Sequence, residues 1–313
     1  MKKENTVAKQ LRALAIACLS SEHHHRKAIA QEANNLLRRA KLPELPCNLA
    51  TLSRFFGPAR MGKLNSSAKI MKGKKRGVDS FILYLAAAKN AGINICKYST
   101  PDCVRLCLME SGRAHIESGM ELSQQKIHIA RIVKTWIWCF APDYARHWIN
   151  LEIARDKAKA EKAGRRFCVR LNGTSDLDFT ETIETWPGVP FYDYSKRPFD
   201  SLGLDRLPNY SICYSFANFA PARMREYCKA LRAGCNLAIP VIAADFDQIL
   251  DLPYCFNADR DDLRHLDREK SSFAILKVKR TRNLRDGNGS FVLSFAQVTE
   301  LRAQLEKMGA FPA

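Results

Sequence analysis

The residues with the most evident chemistry are three cysteines, Cys96, Cys103 and Cys107, spaced C-x6-C-x3-C within NICKYSTPDCVRLC. They stand among the turn residues Ser99, Thr100, Pro101 and Asp102 rather than inside an apolar run. Thiolates crowded into a turn are ready metal ligands, and soft sulfur selects zinc or iron–sulfur clusters. Three reachable ligands leave one position open, which in a [4Fe–4S] cluster a small molecule can fill. A zinc site completed by His115 is the other reading that the spacing allows.

Other thiols read differently. The chain has 11 cysteines in 313 residues, an odd and scattered set. That is not the dense framework of a small disulfide-bonded secreted domain, so reduced thiols and a cytoplasmic location are expected. Cys168 in FCVRL and Cys213 in YSICYS sit in strand-like apolar runs and read as small buried hydrophobes. The consecutive His23, His24 and His25 after Glu22 resemble a metal tract, but successive helical residues point in different directions.

Further polar candidates follow strand-like segments. Asn172, Ser175 and Asp176 in LNGTSD can present hydroxyl and backbone N–H groups to a ligand, or cap a short helix. Lys196 and Arg197 suit a carboxylate or phosphate, or form an exposed basic turn. Ser215 and Asn218 suit a ribose, or cap the next helix. Asp259, Asp261, Asp262, Arg264 and Asp267 read as a salt-bridged loop or as a charge match to a cationic cofactor. Trp136 and Trp138 read as core rather than base-stacking residues. A Walker loop, a dinucleotide-type glycine fingerprint and a nucleophile elbow are all lacking, which argues against nucleotide hydrolysis and hydrolase chemistry.

The elements that must position these residues are legible as patterns. Residues 5–20 and 24–41 read as helices, a Pro-rich linker follows, and NLATLSRFFG is a short helix. KIMKGKKRG at 69–77 reads as a basic loop. FILYLAAA at 81–88 is a continuous apolar run suited to a strand buried on both faces. Residues 114–140 and 143–163 read as long helices separated by Pro142. Strands are expected at 166–172, 190–195, 209–218, 237–245 and 272–280, with helices at 221–233 and 296–308. This alternation predicts an α/β protein: a partial or irregular parallel βα barrel (residues 61–313) behind a helical, basic N-terminal extension (residues 1–60). The thiol loop then leaves the carboxyl end of the first strand, where βα barrels hold their active sites.

Charge is uneven. The formal net charge is +18, and residues 1–80 hold 17 Lys and Arg against 5 Asp and Glu. A positive field at one end predicts contact with a polyanion such as nucleic acid. The start MKKENTVAKQLRALAIACLSSEHHH lacks the long apolar core and cleavage site of a signal peptide, and no stretch suits a transmembrane span.

In order, CKYSTPDCVRLC with SGRA behind it, RLNGTSDLDF, FYDYSKRP, NYSICYSFAN and DRDDLRHLD resemble the phage gene product 88 family. Through it they resemble three-cysteine phage proteins similar to radical S-adenosylmethionine enzymes. The resemblance covers about residues 80–295 and leaves out the first 60 or so. It implies a TIM-barrel-like domain whose Cys96, Cys103 and Cys107 bind a [4Fe–4S] cluster. In such enzymes the open iron chelates S-adenosylmethionine, and reduction yields a 5′-deoxyadenosyl radical that abstracts hydrogen from a substrate. The spacing departs from the C-x3-C-x2-C of radical enzymes, and no aromatic residue directly precedes Cys107. The expected function is an iron–sulfur protein of this type, acting on a nucleic acid or another macromolecule. The alternative is a zinc-stabilised nucleic-acid-binding protein without catalysis.

Overall fold

A computed structural model describes residues 6–311 apart from 41, 43, 46, 47, 67, 108–112 and 279–290. Three helices come first: α1 (Thr6–Ser20), α2 (Arg26–Arg39) and α3 (Leu49–Phe56). A short strand β1 (Gly62–Leu64) and helix α4 (Ala68–Lys75) lead into β2 (Val78–Leu83). After β2 come the short α5 (Pro101–Arg105) and α6 (Arg113–Glu117), then α7 (Lys126–Phe140) and α8 (Pro142–Lys162). The remaining elements are β3 (Arg166–Arg170), α9 (Thr180–Glu184), β4 (Phe191–Ser195), β5 (Tyr210–Ser215), α10 (Pro221–Arg232), β6 (Asn236–Val241), α11 (Phe246–Leu250), β7 (Cys255–Asn257), β8 (Phe273–Lys277) and α12 (Phe295–Lys307).

The strands form one sheet in the order β1-β2-β3-β4-β5-β6-β8-β7. Only β1 is antiparallel to its neighbour; the other pairings are parallel. Each connection from β2 to β6 places the next strand beside the last, as in a βα barrel. The sheet is open, with β1 and β7 at its edges: the expected α/β architecture takes the form of an eight-stranded, mostly parallel sheet that does not close into a barrel.

One face of the sheet carries the larger cores. Phe81, Val169 and Phe191 pack with Trp136, Trp148 and Ile153 of α7 and α8. Ile212, Ile239 and Ile275 pack with Leu231 and Leu305 of α10 and α12. Leu11, Ala15 and Leu37 of α1 and α2 belong to the same core as Trp136 and Phe81, so these helices are seated on the sheet's helical layer. The opposite face holds smaller clusters, with Cys168 and Tyr192 against Leu263, and Cys213 and Ala238 against Ala258.

Local chemistry explains most boundaries. Pro221 opens α10, and Gly234, at φ 79°, follows its end. Ser294 and Gln297 form a reciprocal capping box on α12. The break between α7 and α8 falls at Ala141, directly before Pro142.

Several sequence expectations are corrected. The 69–77 segment is mostly helix α4, because Ile70 and Gly73 dock on the sheet side, with Gly73 against Leu263. The expected strand at 81–88 shifts to Val78–Leu83. Its first part carries Asp79, buried beside Arg165 and Asn65, and by residue 86 the chain has left the sheet, with Ala86 N donating to Thr135 Oγ1 at 2.9 Å. The helix expected at 114–140 is interrupted after α6. Glu117 Oε2 accepts Ile127 N at 2.7 Å and so caps the restart in α7. Strands β1 and β7 have no counterpart in the expected pattern, being three residues each.

Candidate metal centre and the strand rim around it

The thiol loop leaves β2 and runs along the carboxyl ends of the parallel strands. Thr100 Oγ1 accepts Cys103 N at 3.2 Å, and Pro101 occupies the first helical position, so α5 fixes Cys103 just inside its start. Cys96 lies seven residues earlier. Its sulfur accepts Ala88 N at 3.3 Å and lies 3.8 Å from the carbonyl oxygen of Thr174. Ala88 has φ 49°, an uncommon and strained conformation for a residue with a Cβ.

The LNGTSD turn after β3 is bound to this loop along its length. Gly173 N donates to Leu83 O at 3.1 Å, Thr174 Oγ1 to Leu85 O at 2.6 Å, and Asp176 N to Ile95 O at 3.0 Å. Glycine is required at 173, since a Cβ would come within 2.5 Å of Leu83 O. The turn also reaches the next strand. Asp176 accepts Ser195 Oγ at 2.7 Å and Lys196 N at 2.9 Å. Burial raises the Asp176 pKa against these hydrogen bonds and the nearby Lys196 and Arg197 charges.

A residue that sequence reasoning does not select joins the last parts. Arg223 of α10 donates to Lys196 O at 2.7 Å and to Tyr98 O at 2.6 Å. The loops after β2, β3 and β4 and the start of α10 thus form one hydrogen-bonded rim. Nothing local in the sequence marks Arg223, because its two partners lie 27 and 125 residues away.

Cys103 and Cys107 both lie in electrostatic reach of Cys96. Burial pushes the Cys96 thiol up to about 12; Cys107, Asp176 and Cys103 add to the shift, while the Ala88 N–H opposes it. None of the three is in a disulfide. Among the described residues, no group of three or more His, Cys, Asp or Glu is assembled as a metal site. The loop as it stands is a set of neighbouring thiols rather than a finished tripod. His115, the fourth ligand in the zinc reading, is exposed on α6. Ser111 and Gly112 of the SGRA segment lie outside the described residues.

The other site candidates divide by how their polar atoms are used. Asn172 accepts Ser175 Oγ at 2.8 Å and Leu177 N at 2.9 Å, and donates to Leu177 O at 3.1 Å, so Asn172 and Ser175 hold the turn's shape. Neither Ser175 nor Asp176 caps α9, whose N-cap is Phe179. Strands β3 and β4 pair only at Val169 and Phe191 and then diverge, and the Asp193 carboxylate takes Asn172 N at 2.8 Å. Arg197 is engaged by Asp178 at 3.0 Å and by Ser201 O at 2.8 Å, which removes it as a ready anion clamp. Lys196 places its ammonium 5.1 Å from the Phe291 ring centre. Ser215 is nearly buried at the end of β5. Asn218 uses its side-chain oxygen for Ala220 N at 3.0 Å, a turn that leads into α10 without capping it directly.

The acidic segment DRDDLRHLD takes the salt-bridged reading. Asp262 pairs with Arg170 of β3 at 2.7 Å, Asp261 pairs with Arg76 and Arg264, and Arg264 reaches Asp267 at 3.4 Å. His265 stacks on Tyr192 with 5.3 Å between ring centres, and burial pulls its pKa down to about 4. The segment therefore packs over the side of the sheet opposite the large helices. Trp136 is fully buried, as expected of a core residue, and Cys168 and Cys213 are buried too. Glu22 Oε2 lies 3.4 Å from His24 Nδ1, and the described residues of the histidine tract form no metal group. None of the described helices is long and apolar enough to cross a membrane.

In comparison with known proteins, the family model described as gene product 88 matches residues 59–288. The matched region contains the thiol loop, the LNGTSD turn, Lys196, Arg223 and the acidic segment. No curated protein and no solved structure matches the chain.

Proposed function

The chain belongs to the gene product 88 family, and from that premise we propose that it is an iron–sulfur protein of the radical S-adenosylmethionine type, with the open sheet serving as a partial barrel. The observation that carries the reading is the position of Cys96, which Cys103 and Cys107 influence electrostatically, in the loop tied to the turn after β3 at the carboxyl ends of a parallel sheet. The donor set fits the group: three sulfurs suit a cluster with one open iron. When bound, such a cluster supplies one-electron chemistry and a coordination position for the amine and carboxylate of S-adenosylmethionine.

The chain's own residues position and bind. Asn172 and Ser175 keep the turn beside Cys96 in shape, and Asp176 fastens that turn to β4. Lys196 supplies a cation at the rim, and Ser215 and the amide nitrogen of Asn218 supply donors at the neighbouring strand end. Nucleic acid is the macromolecular partner in this reading. Its support is the charge of the first 80 residues, with Arg38, Arg39, Lys74 and Lys75 exposed on α2 and α4.

Anaerobic reconstitution with iron and sulfide tests the reading. The wild-type protein is expected to turn brown, and Cys103→Ala to lose the colour while keeping its thermal midpoint. Equal colour in the variant rejects the ligand assignment.

A further inference from the structure

Lys134 of α7 is only 5% exposed, yet among the described residues its side-chain nitrogen has no hydrogen-bond or ion-pair partner. It lies where α7, α8 and the start of β1 meet. We infer that Lys134 is a carbamylation site: its amine takes up carbon dioxide, and the resulting carbamate is held by Arg60.

The charges around Lys134 favour an anion in its place. Lys63 of β1, Arg131 of α7 and Arg60 before β1 lie in electrostatic reach of it, against one carboxylate, Glu152 of α8. That carboxylate is already engaged. Glu152 Oε2 accepts Gly62 N at 2.8 Å, and Oε1 accepts Met61 N at 3.3 Å. Asp156, one turn further along α8, pairs with Arg60 and Arg155. Arg60 still has a donor to spare. Its Nε is enclosed and makes no hydrogen bond, with Glu152 Oε1 standing off at 3.6 Å. An enclosed donor without an acceptor destabilises the fold, and a carbamate oxygen supplies the acceptor. Carbamylation turns Lys134 from a cation among cations into an anion among them.

Reactivity and access agree with this. Burial, then the charge of Lys63, lower the Lys134 pKa to about 7, so a large share of the amine is unprotonated at neutral pH. A desolvated lysine beside other cations is an activated nucleophile. Its lone pair attacks the carbon of carbon dioxide. An N–C bond forms, one C=O electron pair moves onto oxygen, and the nitrogen releases a proton to solvent. The step needs no oxidant, reductant or leaving group. Carbon dioxide is small, uncharged and apolar, which suits a nitrogen so little exposed; a phosphate or a sugar aldehyde needs far more room. The surroundings are fixed, since Ala86 N donates to Thr135 Oγ1 at 2.9 Å and holds α7 against the chain leaving β2. The site does not depend on any metal at the thiols.

The test uses the full chain at fixed pH and ionic strength, in buffer freed of carbon dioxide and in buffer equilibrated with it. Carbamate is trapped by alkylation with a trialkyloxonium salt, and digestion followed by mass spectrometry locates it. The expected result is a saturable adduct at Lys134 that is absent without carbon dioxide. Isotopically labelled carbon dioxide is expected to give a carbamate carbon resonance that Lys134→Met lacks. Lys159→Gln, at an exposed position on α8, keeps it. Arg60→Lys retains a charge for Asp156 but loses the Nε donor, and is expected to weaken uptake about tenfold. Where a variant fails to fold, the position of the adduct in the wild type decides. An adduct confined to the N-terminal amine or to exposed lysines overturns the inference. So does labelled bicarbonate that binds without a covalent adduct, or uptake by Arg60→Lys equal to that of the wild type.

Discussion

The Arg223 guanidinium donates to the carbonyl oxygen of Tyr98 at 2.6 Å, joining the start of α10 to the thiol loop 125 residues earlier. The same side chain holds Lys196 O at 2.7 Å, so one residue spans the loops after β2 and β4. Hydrogen bonds from a charged donor contribute about 1.5–3 kcal/mol each. Arg223→Gln is expected to lower stability by roughly that amount and to loosen the loop. Mass-resolved alkylation is then expected to modify Cys103 and Cys107 several-fold faster than in the wild type. Unchanged rates would show that Arg223 does not restrain the thiols.

On the other side of the sheet, Arg170 and Asp262 form an ion pair that both partners bury. Burial opposes the charge on Arg170, while Asp262 holds its pKa well up. Removing one partner leaves an uncompensated buried charge. Arg170→Met is expected to cost about 3–5 kcal/mol in urea unfolding, and the Arg170→Met/Asp262→Leu double variant to recover a large part of it. Additive losses in the double variant would contradict a paired role.

How far the sequence reaches can be read from these residues. Strands β2 to β6 and helix α10 are visible because apolar runs and the Pro221 and Gly234 boundaries are local signals. The thiols, the LNGTSD turn and Lys196 are visible as residue types after strand-like runs. What Asn172, Asp176 and Arg197 do is not. Their partners are set by where the loops of β2, β3 and β4 meet, and no spacing along the chain encodes that. Helix α4 reads as a solvated loop because of its lysines, although Lys is a good helix former and Ile70 is buried. The short edge strands β1 and β7 carry too few residues to show a period.

A second buried charge gives a pH dependence. Burial lowers the Lys134 pKa to about 7, with Lys63 adding to the shift and Glu152 opposing it. The native state then binds fewer protons than the unfolded chain between about pH 7 and the ordinary lysine value of about 10.4. This contribution to stability is present above the unfolded pKa and is lost as pH falls through about 10 toward about 7. Unfolding free energy, after comparison with Lys134→Met, is expected to rise across that window in the wild type alone. A parallel profile for the variant would remove Lys134 as the cause.

For nucleic acid, deletion of residues 1–60 is a poor test, because Leu11, Ala15 and Leu37 are part of the core. Surface substitution is cleaner. Combining Arg38→Gln, Arg39→Gln, Lys74→Gln and Lys75→Gln is expected to weaken binding and to reduce the slope of log K against log salt by about 1 for each phosphate that the variant no longer neutralises. A slope equal to that of the wild type would place the nucleic acid elsewhere on the protein.

The most direct test of the cluster reading is the metal itself. Protein purified without oxygen is analysed for iron, acid-labile sulfide and zinc per chain, beside Cys96→Ala, Cys103→Ala and Cys107→Ala. The account predicts about four iron and about four sulfide per wild-type chain, with loss in each variant. Zinc in place of iron, or wild-type protein with no iron after reconstitution, would contradict it.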